Sequence, residues 1–445
     1  MDLAYPEAVI YAVLIIGLIS LFYSPFWTFL LTVILFSSVN VYKAIITRIS
    51  AFGPYFNLYD ALFLLAIISI IVDSRSRPFT IPKPVIWVVG ILLIGIAQTA
   101  IYFEMNYLVI RAIRWSMTFP LAFLIAANNV VDSTRAKQLF YAIIIGSVIG
   151  SAITFVEYRD ISLLGRGDEA VRMPTAGTPL GGSLLIAATQ KAFFPNLIWP
   201  LKMLWGGSLV LFGMCILFGQ WRAMDLAVIL TVITVPLVLR NWQNYWRATI
   251  VSGIGLVITL TTLYVAMPWV NPGTTFNRLA ILKQYKDPNA PPPREDRTRV
   301  LQISRDLEEW YEGNLLLGRG LSFNAFISDG LNRDIAWGHI GYTSYLSNLG
   351  IVGLLIYGVF LPLAIVRAGK LLYNGDNERW VVLLGLIAVV TVLSESIMSF
   401  MSTSYLSTLK HCVGFLYGAV WALAYKKDNS HNIVISWKDN RLKKI

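Results

Sequence analysis

The chain has 445 residues, 56% of them hydrophobic and only 14% charged, with a formal net charge of +11. A mean hydropathy of +0.63 excludes an ordinary soluble domain and indicates a polytopic membrane protein. The positive charge is split among many short segments rather than gathered on one face, which argues against nucleic acid as a partner.

The first eight residues carry acids and no lysine or arginine, so the basic start of a cleaved signal is missing. A helix needs about 20 mainly apolar residues to cross a bilayer. Such runs are predicted at 8–23, 26–42, 58–73, 85–103, 107–128, 139–157, 183–200, 203–220, 223–239, 248–269, 349–368, 381–400 and 411–425. This reads as an all-α membrane protein of about 12 transmembrane helices forming a single membrane domain over 1–445. The run at 183–200 is the weakest, interrupted by Gln190, Lys191, Pro195 and Pro200. No internal repeat is apparent, which counts against a repeat-built transporter.

Lysine and arginine collect in alternate connections: Arg75, Arg77 and Lys83; Arg135 and Lys137; Arg240 and Arg247; Arg367, Lys370 and Arg379. The tail 426–445 adds Lys426, Lys427, Lys438, Arg441, Lys443 and Lys444. The positive-inside rule makes these segments cytoplasmic. Lys43 and Arg48 fall on the opposite side in this count, which fits either a different number of early spans or an interfacial helix over 43–56.

The long polar stretch 271–348 then lies outside the cytoplasm, and its length marks it as functional rather than connecting. "KDPNAPPPRED" (286–296) is a Pro-rich approach that cannot be helical. After it, Val300, Ile303, Leu307 and Trp310 recur at helical spacing, predicting an amphipathic helix on the membrane surface or on the tops of the spans. Arg299, Arg305, Asp306, Glu308 and Glu309 occupy its polar side. "GNLLLGRGLS" (313–322) ends that helix, and a second one is predicted to start near His339 and to run into the span at 349.

His339 stands at a turn between Gly338 and Gly341, in a stretch rich in arginine, and only two other histidines exist in the chain. A lone interfacial histidine is most simply a local hydrogen-bonding group. In this setting it is a candidate base for a sugar hydroxyl. Arg222 lies at a junction of two spans, where it either pairs with Asp225 three residues on or holds an anion. Arg297 and Arg299 open the amphipathic helix and are either solvated charges or guanidinium forks for a diphosphate. Arg111 and Arg114, three apart, fit headgroup anchors or a basic entry. Arg166 and Arg172 carry the same ambiguity, and Arg319, Lys410 and His411 are secondary candidates. Glu395 is an intramembrane carboxylate, functional by default. Cys215 and Cys412 make neither a disulfide framework nor a metal site. No phosphate loop and no His/Cys set with metal spacing occurs, so the chemistry reads as metal-free and without a cofactor.

Three segments together carry a family resemblance: "GQWRA" (219–223), "TRVLQISRDLEEWYEGNLLLGRG" (298–320) and "GHIGYTSYLSNLGIVGLLIYG" (338–358). The chain resembles the O-antigen ligase/polymerase family of bacterial membrane glycosyltransferases, over about 205–365. The resemblance implies a GT-C-like fold in the bacterial inner membrane, with the site on the periplasmic face. It implies an undecaprenyl-diphosphate-linked oligosaccharide as donor and an inverting, metal-independent transfer. Membrane lipids and other polysaccharide-assembly proteins are the expected partners. By position, Arg222 and Arg299 would hold the donor diphosphate, with Arg297 as the other contender, and His339 would deprotonate the acceptor. Ile340 stands where the family often has asparagine, and Trp221-Arg222-Ala223 where it usually has Ser-Arg-Gly. These departures bear on the acceptor more than on the reaction. A polymerase is the first reading, a ligase to lipid A–core the second, and a transporter or flippase of lipid-linked glycan the rival from another class.

Overall fold

Apolar runs in lipid close their backbone hydrogen bonds internally and so become helices, and most of this chain does so. The computed structural model describes residues 7–38, 58–73, 78–102, 107–163, 178–188, 198–219, 231, 233–235, 238, 294–321, 324–328, 331–335, 341–399, 410–426 and 431–435. The described helices are α1 (Glu7–Tyr23), α2 (Pro25–Ser38), α3 (Leu58–Asp73), α4 (Lys83–Tyr102), α5 (Tyr107–Asn129), α6 (Ser133–Leu163), α7 (Thr178–Ala188) and α8 (Trp199–Gly219). After the long polar stretch come α9 (Arg294–Glu312), α10 (Gly341–Leu355), a π turn at Ile356–Phe360, α11 (Leu361–Tyr373), α12 (Arg379–Met398) and α13 (Lys410–Ala424).

Among the described residues, four helical stretches are long and apolar enough to cross a membrane: Lys83–Ile101, Ser133–Val156, Gly341–Tyr373 and Arg379–Ile397. Pro25–Ser38 and His411–Ala424 are apolar but shorter. The protein is therefore mostly helical, and these helices indicate membrane association. Of the predicted spans, 248–269 and most of 223–239 lie outside the described residues. In the weak 183–200 run the described helix stops at Ala188, before Gln190.

Glycines set the closest helix contacts. A side chain at Gly414 would press on the backbone oxygen of Phe119, and one at Gly418 on that of Phe123. This G-x-x-x-G spacing lets α13 lie directly on α5, as small residues do between membrane helices. Gly369 and Gly385 do the same for α11 and α12, each facing the other's carbonyl.

The two ends of the bundle differ. At one end, strand β1 (Phe79–Pro82) pairs antiparallel with β4 (Asn432–Ile435), Pro82 opposite Asn432 and Phe79 opposite Ile435. The side chain of Asn128 holds the Thr80 backbone through both its N–H (2.8 Å) and its C=O (2.9 Å). Nearby, Arg135 meets Asp73 at 3.7 Å, Ser133 donates to Glu378 at 2.6 Å, and Lys137 lies over the Trp380 ring. The connections around 79–82, 132–137 and 374–379 and the tail strand thus share one side; they belong to four of the five segments in which basic residues collect, the fifth, with Arg240 and Arg247, lying outside the described residues. The other end holds Arg114 paired with Asp60 at 3.0 Å, the end of α12, and the α9 region. A second antiparallel pair, β2 (Asn324–Ser328) with β3 (Leu331–Ile335), follows α9, so the polar stretch contains a hairpin that its sequence pattern did not suggest.

Gly418→Ala is expected to destabilise the protein by roughly 1–3 kcal/mol, the usual cost of overpacking, and thermal unfolding in detergent measures it. Unfolding identical to wild type would mean that α13 does not lie on α5 this closely.

Candidate active site around the break in α10

α9 starts at Arg294, directly after the Pro291–Pro293 run, so Arg294, Glu295 and Asp296, expected in the non-helical approach, are helical: proline limits the helix only up to the last proline. Its backbone carries Arg297 and Arg299 in the first turns, their side chains lying outside the described ones. Position 299 shares a helical stripe with position 306, two turns or about 10 Å further on. Asp306 is fully buried and accepts a 2.6 Å hydrogen bond from the hydroxyl of Thr343, in the first turn of α10. Hydroxyl-to-carboxylate bonds of this length are among the stronger ones in proteins.

The contact decides which side of α9 meets α10: Asp306 is fully buried, whereas Leu307 is 39% exposed.

α10 is broken at Gly350, whose φ of 66° and ψ of −165° are not helical. Tyr345 and Tyr357 would lie about 18 Å apart along a straight helix, but their rings stack at 4.8 Å with an interplanar angle of 6°. The chain therefore doubles back at Gly350. Such a turn strands the last carbonyls of the first half and the first N–H groups of the second. The segment after α9 takes up both sets. Arg319 N and Gly320 N donate to Ser347 O and Asn348 O at 2.9 and 3.0 Å. Ile351 N and Val352 N donate to Leu315 O and Leu316 O, each at 3.1 Å. Asn314 braces the loop by accepting from Leu316 N and Leu317 N. Leu321 N reaches α4 at Thr99 Oγ1, 2.6 Å away.

A charge cluster covers this junction. Arg305 lies 3.5 Å from Glu309 and Arg319 lies 3.7 Å from Glu312. Burial raises the Glu309 carboxyl above its ordinary range, opposed by the nearby Arg305 and Arg319 guanidiniums. The start of α10 is held from the other side by α12: Gly341 N and Tyr342 N both donate to Ser399 O, and the Tyr342 hydroxyl donates to Ser396 O. Glu395, one turn before Ser399, is only 5% exposed, and no partner reaches its carboxylate among the described residues.

His339, Arg222 and Arg172 lie outside the described residues. His339 precedes by two positions the Gly341 that Ser399 caps. Arg111 lies in α5 and Lys410 opens α13, with side chains outside the described ones. Arg114 is paired with Asp60. His411 is 1% exposed; its Nε2 lies 3.2 Å from Phe36 O and its ring packs on Phe36 at 5.0 Å, so it belongs to the packed interior rather than to a surface pair with Lys410. The structure thus joins α9 to the start of α10 through Asp306, ties the Arg319 backbone to Ser347, and sets Arg114 and His411 in other contacts. Asp306, Thr343 and Thr99 are the contributors that sequence reasoning passed over. The one available signal was Asp306 two turns after Arg299, a spacing that places both on one stripe.

The chain matches no protein-family model and no curated protein.

Gly350→Ala is expected to destabilise by more than about 2 kcal/mol, since positive φ strains an L-residue and the new methyl would run into the Leu316 carbonyl; chemical denaturation tests it. Glu309 gives a pH prediction. Its raised folded-state value means that its contribution to stability is present below the ordinary glutamate range and is lost as pH rises through the folded value. The stability of wild type relative to Glu309→Gln should therefore fall on going from acid to neutral pH. A difference that does not change with pH would remove Glu309 from the buried cluster.

Proposed function

We propose that this protein is a membrane glycosyltransferase of the O-antigen polymerase/ligase type. It joins oligosaccharide repeats carried on undecaprenyl diphosphate, at the end of the bundle opposite its basic connections. One observation carries the reading: α9, which opens with Arg297 and Arg299, is tied by the Asp306–Thr343 bond to the turn of α10 that follows His339. We read this contact as keeping the helix that carries the guanidiniums near the segment that carries the imidazole, as a transfer site needs.

In the proposed reaction the acceptor hydroxyl attacks the anomeric carbon of the donor sugar from the face opposite the diphosphate. The new C–O bond forms as the sugar–phosphate bond breaks, giving inversion. The hydroxyl proton passes to His339. The lipid diphosphate departs with its charge met by Arg222 and Arg299, or by Arg297 in the neighbouring register; preorganised cations in a dry site favour such a leaving group. The transfer is written without a metal. Arg319 takes a supporting part, since its charge already serves Glu309 and Glu312. A ligase acting on a lipid A–core acceptor uses the same steps with a different hydroxyl.

The broken helix is the one observation that favours a transporter, because transporters hold substrates with the freed backbone groups of such breaks. Here Ser347 O, Asn348 O, Ile351 N and Val352 N are all taken by the loop, so these four groups are not left for a substrate.

Glycan assembly in cells lacking the native gene tests the proposal, with wild type, His339→Ala and Arg299→Ala supplied at equal membrane levels. Both variants should lose polymer by about a hundredfold or more, in line with removal of a general base or a charge-stabilising group, and leave single lipid-linked repeats. Long chains left on the carrier lipid would identify a ligase. Normal polymer from His339→Ala would remove the transferase reading.

A further inference from the structure

We infer that the elbow formed by the end of α9 and residues 313–317 is a membrane anchor, seated in the headgroup and upper acyl region of the leaflet beside it. This assignment does not rest on the transfer reading. It starts from the side of α9 that the Asp306 contact turns away from the protein. Leu307 and Tyr311, four residues apart, form an exposed edge at 39% and 79%, and Leu315 and Leu316 extend it at 46% and 60%. Around the helix axis three stripes follow in order. Asp306 and Glu309 face the bundle, Leu307 and Tyr311 face sideways, and exposed Ser304, Glu308 and Glu312 face away. A narrow apolar edge between a docked face and a charged face is the profile of a helix lying in an interface.

The covering partner is fixed by continuity. The carbonyls of Leu315 and Leu316 are bonded to Ile351 and Val352, the first residues after the break. From there the exposed residues Ile351, Leu355 and Val359 run down the outside of a stretch apolar enough to cross a membrane. The two leucines thus prolong a surface that lipid covers. Depth agrees. A hydrocarbon core of about 30 Å takes about 20 helical residues, and Gly350 stands twenty positions before the exposed Lys370, near the far end of α11. With Lys370 reaching the headgroups on one side, Gly350 and its clasp lie at the boundary on the other. Trp310, whose indole N–H donates to Leu315 O at 2.9 Å, and Tyr311 supply the amphipathic aromatics that such boundaries favour.

The test places a nitroxide on Leu316→Cys and, separately, on Glu308→Cys, in the full chain reconstituted into phosphatidylcholine/phosphatidylglycerol nanodiscs. The native Cys215 and Cys412 are buried, and wild type carried through the same labelling reports their background. The Leu316 side chain is exposed and only its backbone enters the clasp, so the exchange leaves the docking bonds in place. Power saturation with oxygen, which concentrates in hydrocarbon, and with a water-soluble nickel chelate should give an oxygen-to-nickel ratio several-fold higher at 316 than at 308. Equal access of nickel to both labels would overturn the assignment in favour of a water-facing loop. A label at 316 that is immobile and shielded from both reagents would overturn it in favour of a protein partner, and dipolar broadening would identify that partner as a second copy.

Discussion

The arrangement depends on an exchange of four backbone hydrogen bonds at Gly350. Folding a helix back on itself at the edge of an apolar bundle strands carbonyls and N–H groups, and each that is buried without a partner costs several kcal/mol. Ser347, Asn348, Ile351 and Val352 are met by Arg319, Gly320, Leu315 and Leu316. Neither partner makes sense alone: the break would be untenable without the loop, and the loop would have no reason for its shape without the break. Gly318, Gly320 and Gly350 all adopt positive φ, and at each a side chain would strike the facing backbone. The clasp also fixes α9, because only Gly313 and Asn314 separate that helix from the bonded residues.

With α9 fixed, its charges acquire distinct environments. In its second half, Arg305 meets Glu309, and Glu312 meets Arg319 of the following loop, a set that holds the loop against the helix. In its middle, Asp306 spends its carboxylate on Thr343. In the proposed transfer the basic residues of its first turns are the ones that face an anion.

Much of this was legible in the sequence. Helices with caps and apolar runs, such as 58–73 and 107–129, appear within a few residues of where hydropathy places them, since in lipid an apolar run has little alternative to helix. α9 was legible as well, from its period and from the prolines before it. Which side of it meets α10 was not, because the period places the apolar stripe but cannot show that a hydroxyl on another helix claims Asp306. The fold-back at Gly350 was hidden inside an unbroken hydrophobic string. "SNLGIVG" reads as span, and the decisive partner lies some thirty residues earlier in "NLLLGRG". Of the candidate site, the described structure shows α9 joined at Asp306 to the start of α10, and no sequence period could have shown the Asp306–Thr343 bond that makes the joint.

The strand pair at the basic end has a consequence for how the molecule is completed. Phe79–Pro82 meets Asn432–Ile435, a separation of some 350 positions, so the first strand is made long before its partner. Until the partner arrives Asn128 holds the backbone of Thr80, and β1 carries an open edge at the membrane surface. Closing that edge joins the connection between α3 and α4 to the strand after α13, two parts of the molecule that the sequence keeps far apart.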